Sequence, residues 1–177
     1  TPEEIEELKK NYPPMAFKSE FECLFLTDAL SVFPDYERCF NIEKYTDGKC
    51  WCACDPSTVG DDNTILTFVN ERNAVKQYKL EGTLDSKYSQ IASLINKYAP
   101  VATYIEDNSI GIVIANEISK QLTRKNNFHT FTTTSDTKKD YIGLISVNIA
   151  NGTIHFEKGN KLLFSEMGTY TFKLTKT

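Results

Sequence analysis

Two acidic residues close β-like segments, and they are the side chains of this sequence best suited to metal-dependent chemistry. Asp55 ends residues 49–55, and Glu106 ends residues 101–106. Carboxylates that come together repel each other unless a proton or a cation lies between them. Oxygen ligands without neighbouring His or Cys ligands favour Mg²⁺ or Mn²⁺, which also bind phosphate. Two such ions can drive phosphodiester hydrolysis, and Asp55 would be the ligand that bridges them.

Spacing alone leaves a second interpretation open. Asp55 begins a Pro- and Gly-containing turn that also holds Asp61 and Asp62. Aspartate is common in turns because its side chain bonds nearby backbone groups. Glu106 is equally well read as the polar end of a strand. Catalysis and simple turn geometry therefore both remain possible at this point.

The composition indicates one globular domain of 177 residues, 40% hydrophobic and 25% charged. Its formal net charge of -4 does not by itself indicate a nucleic-acid partner, which would need a local basic strip or bound metal ions. No segment approaches the ~18 consecutive apolar residues of a membrane span, and we expect a protein that is not secreted. Cys50, Cys52 and Cys54 alternate along one segment, which predicts reduced core thiols on one face of a strand.

The elements that position the acids follow from hydrophobic periodicity and from start and stop signals. The predicted strands are residues 49–55, 63–71, 74–80, 101–106 and 128–133, with a further strand-like run at 169–174. The predicted helices are residues 2–11, a helix capped by Asp85 and Ser86 that ends before Pro100, residues 109–124, and a helix capped by Ser135 with Ile142, Ile145 and Ile149 facing the core.

This order predicts an α/β fold with a mixed five-stranded sheet. An antiparallel three-strand meander is followed by parallel strands, and helices cover both faces. The first and fourth strands can lie side by side and parallel, which brings Asp55 and Glu106 together at their carboxyl ends. Ligands of open α/β sheets usually bind at that edge.

Three short sequence patterns make the functional prediction more specific. They are Asp55-Pro56-Ser57-x-x-Gly60-x-Asp62, Ile105-Glu106-x-Asn108-x-x-Gly111, and Thr132-Thr133-Thr134 leading into Lys138-Lys139. Together they resemble the C-terminal nuclease domain of the large terminase subunit of tailed bacteriophages, over about residues 19–177. The resemblance implies an RNase H-like nuclease domain at residues 46–177, after an N-terminal helix and approach segment at residues 1–45.

The resemblance also implies roles for particular residues. Asp55 and Glu106 match metal ligands for Mg²⁺ or Mn²⁺, and Asp62 matches an additional catalytic acid. Asp61 is a weaker candidate, and Asn108 matches a position that contacts DNA or phosphate. The implied activity is a two-metal endonuclease that cuts concatemeric double-stranded viral DNA when packaging starts and ends, in the host cytoplasm. The implied partners are an ATPase domain in the parent chain, a small terminase subunit and the portal.

The sequence departs from that family in one respect. The family's third metal-binding acid follows the strand that ends this chain, and residues 167–177 contain no acid. We therefore expect a domain truncated at its C-terminus, with weak or absent nuclease activity on its own. The alternative function is an inactive docking module of a packaging motor that binds DNA or the portal. A sugar-kinase-like relative is a more distant alternative, disfavoured because such enzymes close two domains around a nucleotide.

Basic residues suggest where a phosphate backbone could bind. Lys138 and Lys139 fall in the first turn of a predicted helix, where lysine opposes the macrodipole but free N–H groups suit an anion. The pair therefore predicts a phosphate site, against the simpler interpretation of two solvated lysines. Lys120 and Arg124 are weaker candidates on an outer helix face.

Overall fold

The structure, a computed structural model, describes residues 2–11, 17, 31–57, 63–107, 111–124 and 127–171. The chain divides into a sheet unit, Lys44–Thr134, and a helical unit that combines Thr1–Glu43 with Ser135–Thr177. The predicted division into residues 1–45 and 46–177 stays a prediction. Among the described residues, no helix is both long and apolar enough to cross a membrane.

The sheet unit contains the predicted mixed sheet. Its strands are β1 (Cys50–Asp55), β2 (Thr64–Asn70), β3 (Ala74–Leu80), β4 (Thr103–Glu106) and β5 (Phe128–Phe131). β1, β2 and β3 form the antiparallel meander, and β4 and β5 add parallel strands on the other side of β1. The spatial order is therefore β5-β4-β1-β2-β3.

The two faces of this sheet differ in burial. In β1 the three cysteines are buried and the residues between them are exposed, as the alternation predicts. Helix α2 (Leu84–Tyr98) packs on the buried face, where the Tyr98 ring lies 4.6 Å from the Phe68 ring. We call the other side the open face. It carries Trp51, Ala53 and Asp55 of β1 and Tyr104 and Glu106 of β4. A second layer of helices on that face stays a prediction.

Two helices of the sheet unit begin or end differently from the prediction. The cap of α2 is Thr83, whose hydroxyl accepts a hydrogen bond from the Ser86 N–H, so the assignment of the cap to Asp85 and Ser86 is wrong. Thr83 has the extended backbone that a cap requires, and Asp85 lies in the first turn.

Helix α3 (Gly111–Ser119) ends five residues before the predicted end. The chain turns there because Asn96 of α2 binds both the Gln121 carbonyl and the Thr123 N–H.

The helical unit begins with α1 (Pro2–Asn11), as predicted, and α1 contacts α4 (Ser135–Asn151). A short 3-10 helix (Tyr36–Cys39) carries Arg38, whose guanidinium donates hydrogen bonds to the Ile149 and Ala150 carbonyls near the end of α4. Helix α5 (Lys161–Thr169) is capped by Asn160. Phe40 lies 5.0 Å from the rings of both Phe156 and Phe164, which gives the unit an aromatic core of its own.

Three details of the helical unit correct the sequence analysis. Ile145 of α4 is 39% exposed, whereas Ser146 is buried and donates a hydrogen bond to the Val32 carbonyl. That bond fixes a different face of α4 inward, so Ile145 does not face the core. Thr169 ends α5 instead of beginning a strand, and residues 172–177 lie outside the described residues. A sixth strand, β6 (His155–Phe156), is one more than the predicted five, and Glu157, which follows it, forms an isolated bridge with Ile42.

Candidate metal centre

Asp55 and Glu106 occupy neighbouring positions at the carboxyl ends of two parallel strands. β1 and β4 pair Cys52 with Thr103 and Cys54 with Ile105. The next residue is Asp55 in β1 and Glu106 in β4. Adjacent strands are about 4.8 Å apart, and paired residues of parallel strands point to the same face. The two acids therefore lie side by side on the open face, as the sequence predicts.

The strands on either side hold this acidic pair in place. Asp55 is the last residue of the β1–β2 ladder, where it pairs with Ile65. Glu106 pairs with Phe131 of β5, and the Asp107 N–H donates to the Phe131 carbonyl at 2.7 Å. The pair thus lies in the middle of a five-stranded array. Asp55 is exposed and Glu106 is half-buried, which leaves Asp55 more open to solvent and solutes.

The donor set suits a hard divalent cation. The carboxylates are oxygen donors, and Mg²⁺ is usually held by one or two carboxylates and retained waters. The thiols of Cys50, Cys52 and Cys54 are on the opposite face of β1. Burial raises the pKa of the Cys54 thiol to about 12, and the neighbouring Asp55 carboxylate adds to that shift. Because metals bind the thiolate, a protonated buried thiol is a poor ligand. Among the described residues, no group of three or more His, Cys, Asp or Glu side chains is placed to hold a metal ion.

Sequence reasoning missed a set of hydrogen bonds just beyond Asp55. The Ser57 N–H donates to the Thr64 hydroxyl oxygen at 3.0 Å, and that hydroxyl donates back to the Ser57 carbonyl at 3.1 Å. The Lys87 ammonium donates to the same carbonyl at 3.3 Å. We call these three residues the hairpin neck. The sequence indicated this contact only through Lys87, which lies early in α2. A lysine there opposes the helix dipole, as Lys138 and Lys139 do in α4.

A second missed feature is a ring pair on the open face. Tyr104 and His129 are paired across β4 and β5, and their rings stack with centroids 5.0 Å apart. Tyr104 lies two residues before Glu106 on the same face. The alternation of residues in β4 and β5 was the signal that could have placed both rings beside the acids.

The roles of the other predicted site residues stay predictions. Asp61, Asp62 and Asn108 lie outside the described residues. Lys138 and Lys139 belong to the first turns of α4 in the helical unit, where both are exposed and Lys139 lies 3.5 Å from Asp136. In the sheet unit, Lys120 pairs with Glu117 at 2.6 Å just after α3, and Arg124 is exposed.

Comparison with solved structures identifies the fold. No protein-family model and no curated protein sequence matches the chain. Its structure is similar to the large terminase nuclease of thermophilic phage G20c solved with bound magnesium, with a TM-score of 0.66, 15% identity, and coverage of 82% of this chain and 83% of that one. The chain has the fold of a large terminase nuclease domain.

Two further structures share the terminase nuclease fold. One is a mutant nuclease domain of the large terminase subunit gp2 of bacterial virus Sf6, solved with manganese and beta-thujaplicinol. It has a TM-score of 0.59 and 12% identity, and the match covers 83% of this chain and 84% of that one. The other is the large terminase of thermophilic bacteriophage D6E, with a TM-score of 0.69 and 14% identity. The match covers 96% of this chain but 44% of the D6E chain. The predicted RNase H-like α/β fold is thereby confirmed.

Proposed function

We propose that this chain is the metal-dependent endonuclease domain of a viral DNA-packaging terminase. The observation that carries the proposal is the placement of Asp55 and Glu106 side by side at the carboxyl ends of β1 and β4. Support comes from the shared fold, since the G20c nuclease was solved with magnesium and the Sf6 nuclease with manganese.

In this proposal Asp55 and Glu106 hold two Mg²⁺ or Mn²⁺ ions, with Asp62 as an additional acid. Such ions, when bound, stabilise charge on a phosphate and lower the pKa of bound water. The protein contributes the orientation of the two carboxylates through the β1–β4 ladder. It also presents them on an exposed sheet face that a double-stranded DNA backbone can approach.

Mn²⁺ binding to the whole chain tests the site without depending on turnover. We expect the wild-type chain to bind Mn²⁺ and Asp55→Asn to lose that binding, because one of the two carboxylates is removed. Asp47→Asn is the matched control, since Asp47 is an exposed acid of the same unit and its loss changes the net charge equally. Titration calorimetry and the electron paramagnetic resonance signal of free Mn²⁺ give affinity and stoichiometry.

Nicking of supercoiled plasmid in Mn²⁺ then tests the reaction. The proposal requires Asp55→Asn to cut more slowly than Asp47→Asn. If the wild-type chain cuts measurably above background, equal cutting by Asp55→Asn would show that the acidic pair is not the reactive centre; if it does not, the same comparison is made in a version extended through the family's third metal-binding acid. Failure of the wild-type chain to bind Mn²⁺ would instead favour the docking-module alternative.

Contact with DNA is proposed to involve Lys138, Lys139 and Asn108, and more weakly Lys120 and Arg124. Asp61 is a weaker candidate for the role of additional acid that Asp62 has. Replacing both α4 lysines by alanine should weaken DNA binding at low salt. The slope of log affinity against log salt should become shallower by about 1 for each phosphate that a lysine no longer neutralises. An unchanged slope would remove the lysines from the DNA-binding surface. An ATPase domain, a small terminase subunit and the portal are the proposed assembly partners, in the host cytoplasm.

A further inference from the structure

The hairpin neck lies where the β1–β2 ladder ends, directly after Asp55. The β1–β2 ladder pairs Asp55 with Ile65, so its next step would place Pro56 opposite Thr64. Proline has no N–H and cannot continue a ladder. Asp55 therefore lies at the last regular pair of a strand, where backbones usually fray. Something other than main-chain pairing must fix the backbone that follows it.

Thr64 and Lys87 supply that fixing from side chains. Thr64 is 2% exposed, begins β2 and pairs with Leu80 of β3, so its own position is set by the sheet. Its hydroxyl both accepts from and donates to the Ser57 backbone. Lys87 is half-buried and reaches the Ser57 carbonyl from α2. Both lone pairs of that carbonyl are therefore used, one of them in a charge-assisted bond.

The hairpin neck contacts the backbone from the face of the sheet opposite to the two acids. Thr64 belongs to the buried face of the sheet, where α2 packs, whereas Asp55 points to the open face. We propose that Thr64 and Lys87 are positioning residues, which hold the backbone after Asp55 so that its carboxylate meets a divalent cation in a fixed orientation. This inference rests on the proposed function, because it assumes a cation at the acidic pair.

The sign of the Lys87 effect separates positioning from simple electrostatics. A lysine near a cation site weakens cation binding by charge repulsion, so its removal should strengthen Mn²⁺ binding if charge alone matters. Removal of a positioning group has the opposite effect. Outer-shell partners of metal ligands typically contribute about 10–100-fold to affinity. We expect Lys87→Met and Thr64→Val each to weaken Mn²⁺ binding by about tenfold.

The experiment measures Mn²⁺ affinity of the whole chain by titration calorimetry, with circular dichroism to confirm that each variant is folded. Thr64→Ser keeps the hydroxyl and should retain wild-type affinity. Lys97→Met removes an exposed lysine from the last turn of the same helix and should also leave the affinity unchanged. The Thr64→Val, Lys87→Met double variant should lose less than the product of the single losses, because both groups act through one carbonyl.

The outcomes distinguish this inference from the proposed function. If the wild-type chain binds Mn²⁺ and Asp55→Asn does not, the acidic pair is established as the site. Wild-type affinity in both Thr64→Val and Lys87→Met would then overturn the positioning role alone. Tighter binding by Lys87→Met would overturn it as well. Absence of Mn²⁺ binding in the wild-type chain would overturn both proposals.

Discussion

Two buried strand threonines allow a sharp test of the energetic reasoning. Thr64 is 2% exposed and its hydroxyl makes two hydrogen bonds to Ser57. Thr103 is 0% exposed, and its hydroxyl has no partner with normal hydrogen-bond geometry among the described residues. Burial raises the pKa of the neighbouring Cys52 thiol well above its ordinary value, and the Thr103 hydroxyl opposes that shift only in part. Valine has nearly the same shape as threonine and suits a strand.

Valine at the two positions should change stability in opposite directions. A net hydrogen bond contributes about 0.5–1.5 kcal/mol. Thr64→Val should therefore lower the free energy of unfolding by about 1–2 kcal/mol, since water can partly replace the hydroxyl at half-buried Ser57. Thr103→Val removes a buried hydroxyl whose loss of contact with water is not offset by a good hydrogen bond. It should therefore raise the free energy of unfolding by about 1 kcal/mol. Each kcal/mol corresponds to about 2–4 °C in melting temperature for a chain of this size.

Urea unfolding monitored by Trp51 fluorescence suits this comparison. Trp51 is the single tryptophan of the chain and lies on β1, so it reports on the sheet unit itself. The denaturant slope should stay the same in both variants, because neither changes the surface exposed on unfolding. A lower midpoint in Thr103→Val, comparable to that of Thr64→Val, would refute the reasoning by showing that the Thr103 hydroxyl is well satisfied.

Three other perturbations have defined expectations. Burial raises the Cys54 pKa from 9.0 to about 12, so the unfolded thiol ionises first and stability should fall between pH 9 and 12. In Cys54→Ala, the fall of the free energy of unfolding with pH over that range should be smaller by about 1.4 kcal/mol per pH unit, as measured by urea unfolding. A Cβ at Gly168 would lie 2.5 Å from the Tyr36 hydroxyl oxygen, whereas alanine is otherwise favoured over glycine in a helix by about 1 kcal/mol. In thermal melts, Gly168→Ala should therefore be more favourable in a Tyr36→Phe background than in the wild-type chain. Burial and the Tyr98 hydroxyl raise the pKa of Tyr78 to about 12, and Tyr98→Phe should lower it in an ultraviolet titration of tyrosinate.

The strands and the acidic pair were predictable because local signals and tertiary structure agree there. Alternating burial in β1, the short turns of the meander and the helix that ends before Pro100 are all encoded within a few residues. Once β1 and β4 are taken as parallel neighbours, their carboxyl ends, and with them Asp55 and Glu106, are expected at the same edge of the sheet, and the observed register places the two acids side by side.

The remaining features depend on contacts between distant segments. Ile145 is exposed because a hydrogen bond from Ser146 to Val32 fixes the orientation of α4. α3 is short because Asn96 binds the chain that follows it. Lys87 reaches Ser57 across 30 positions of sequence. Periodicity carries no information about such pairs, so they appear only when the chain is folded.

The hairpin neck has a consequence for how this protein can evolve. Ser57 and Thr64, which flank residues 58–63, are joined by two hydrogen bonds. Strand register ordinarily depends on the turn that joins two strands. Here the hydrogen bonds between Ser57 and Thr64 help to fix the register of β1 and β2, so substitutions and insertions among residues 58–63 need not move Asp55. Substitutions there would change Asp61 and Asp62, the proposed additional acids, while Asp55 keeps its place beside Glu106.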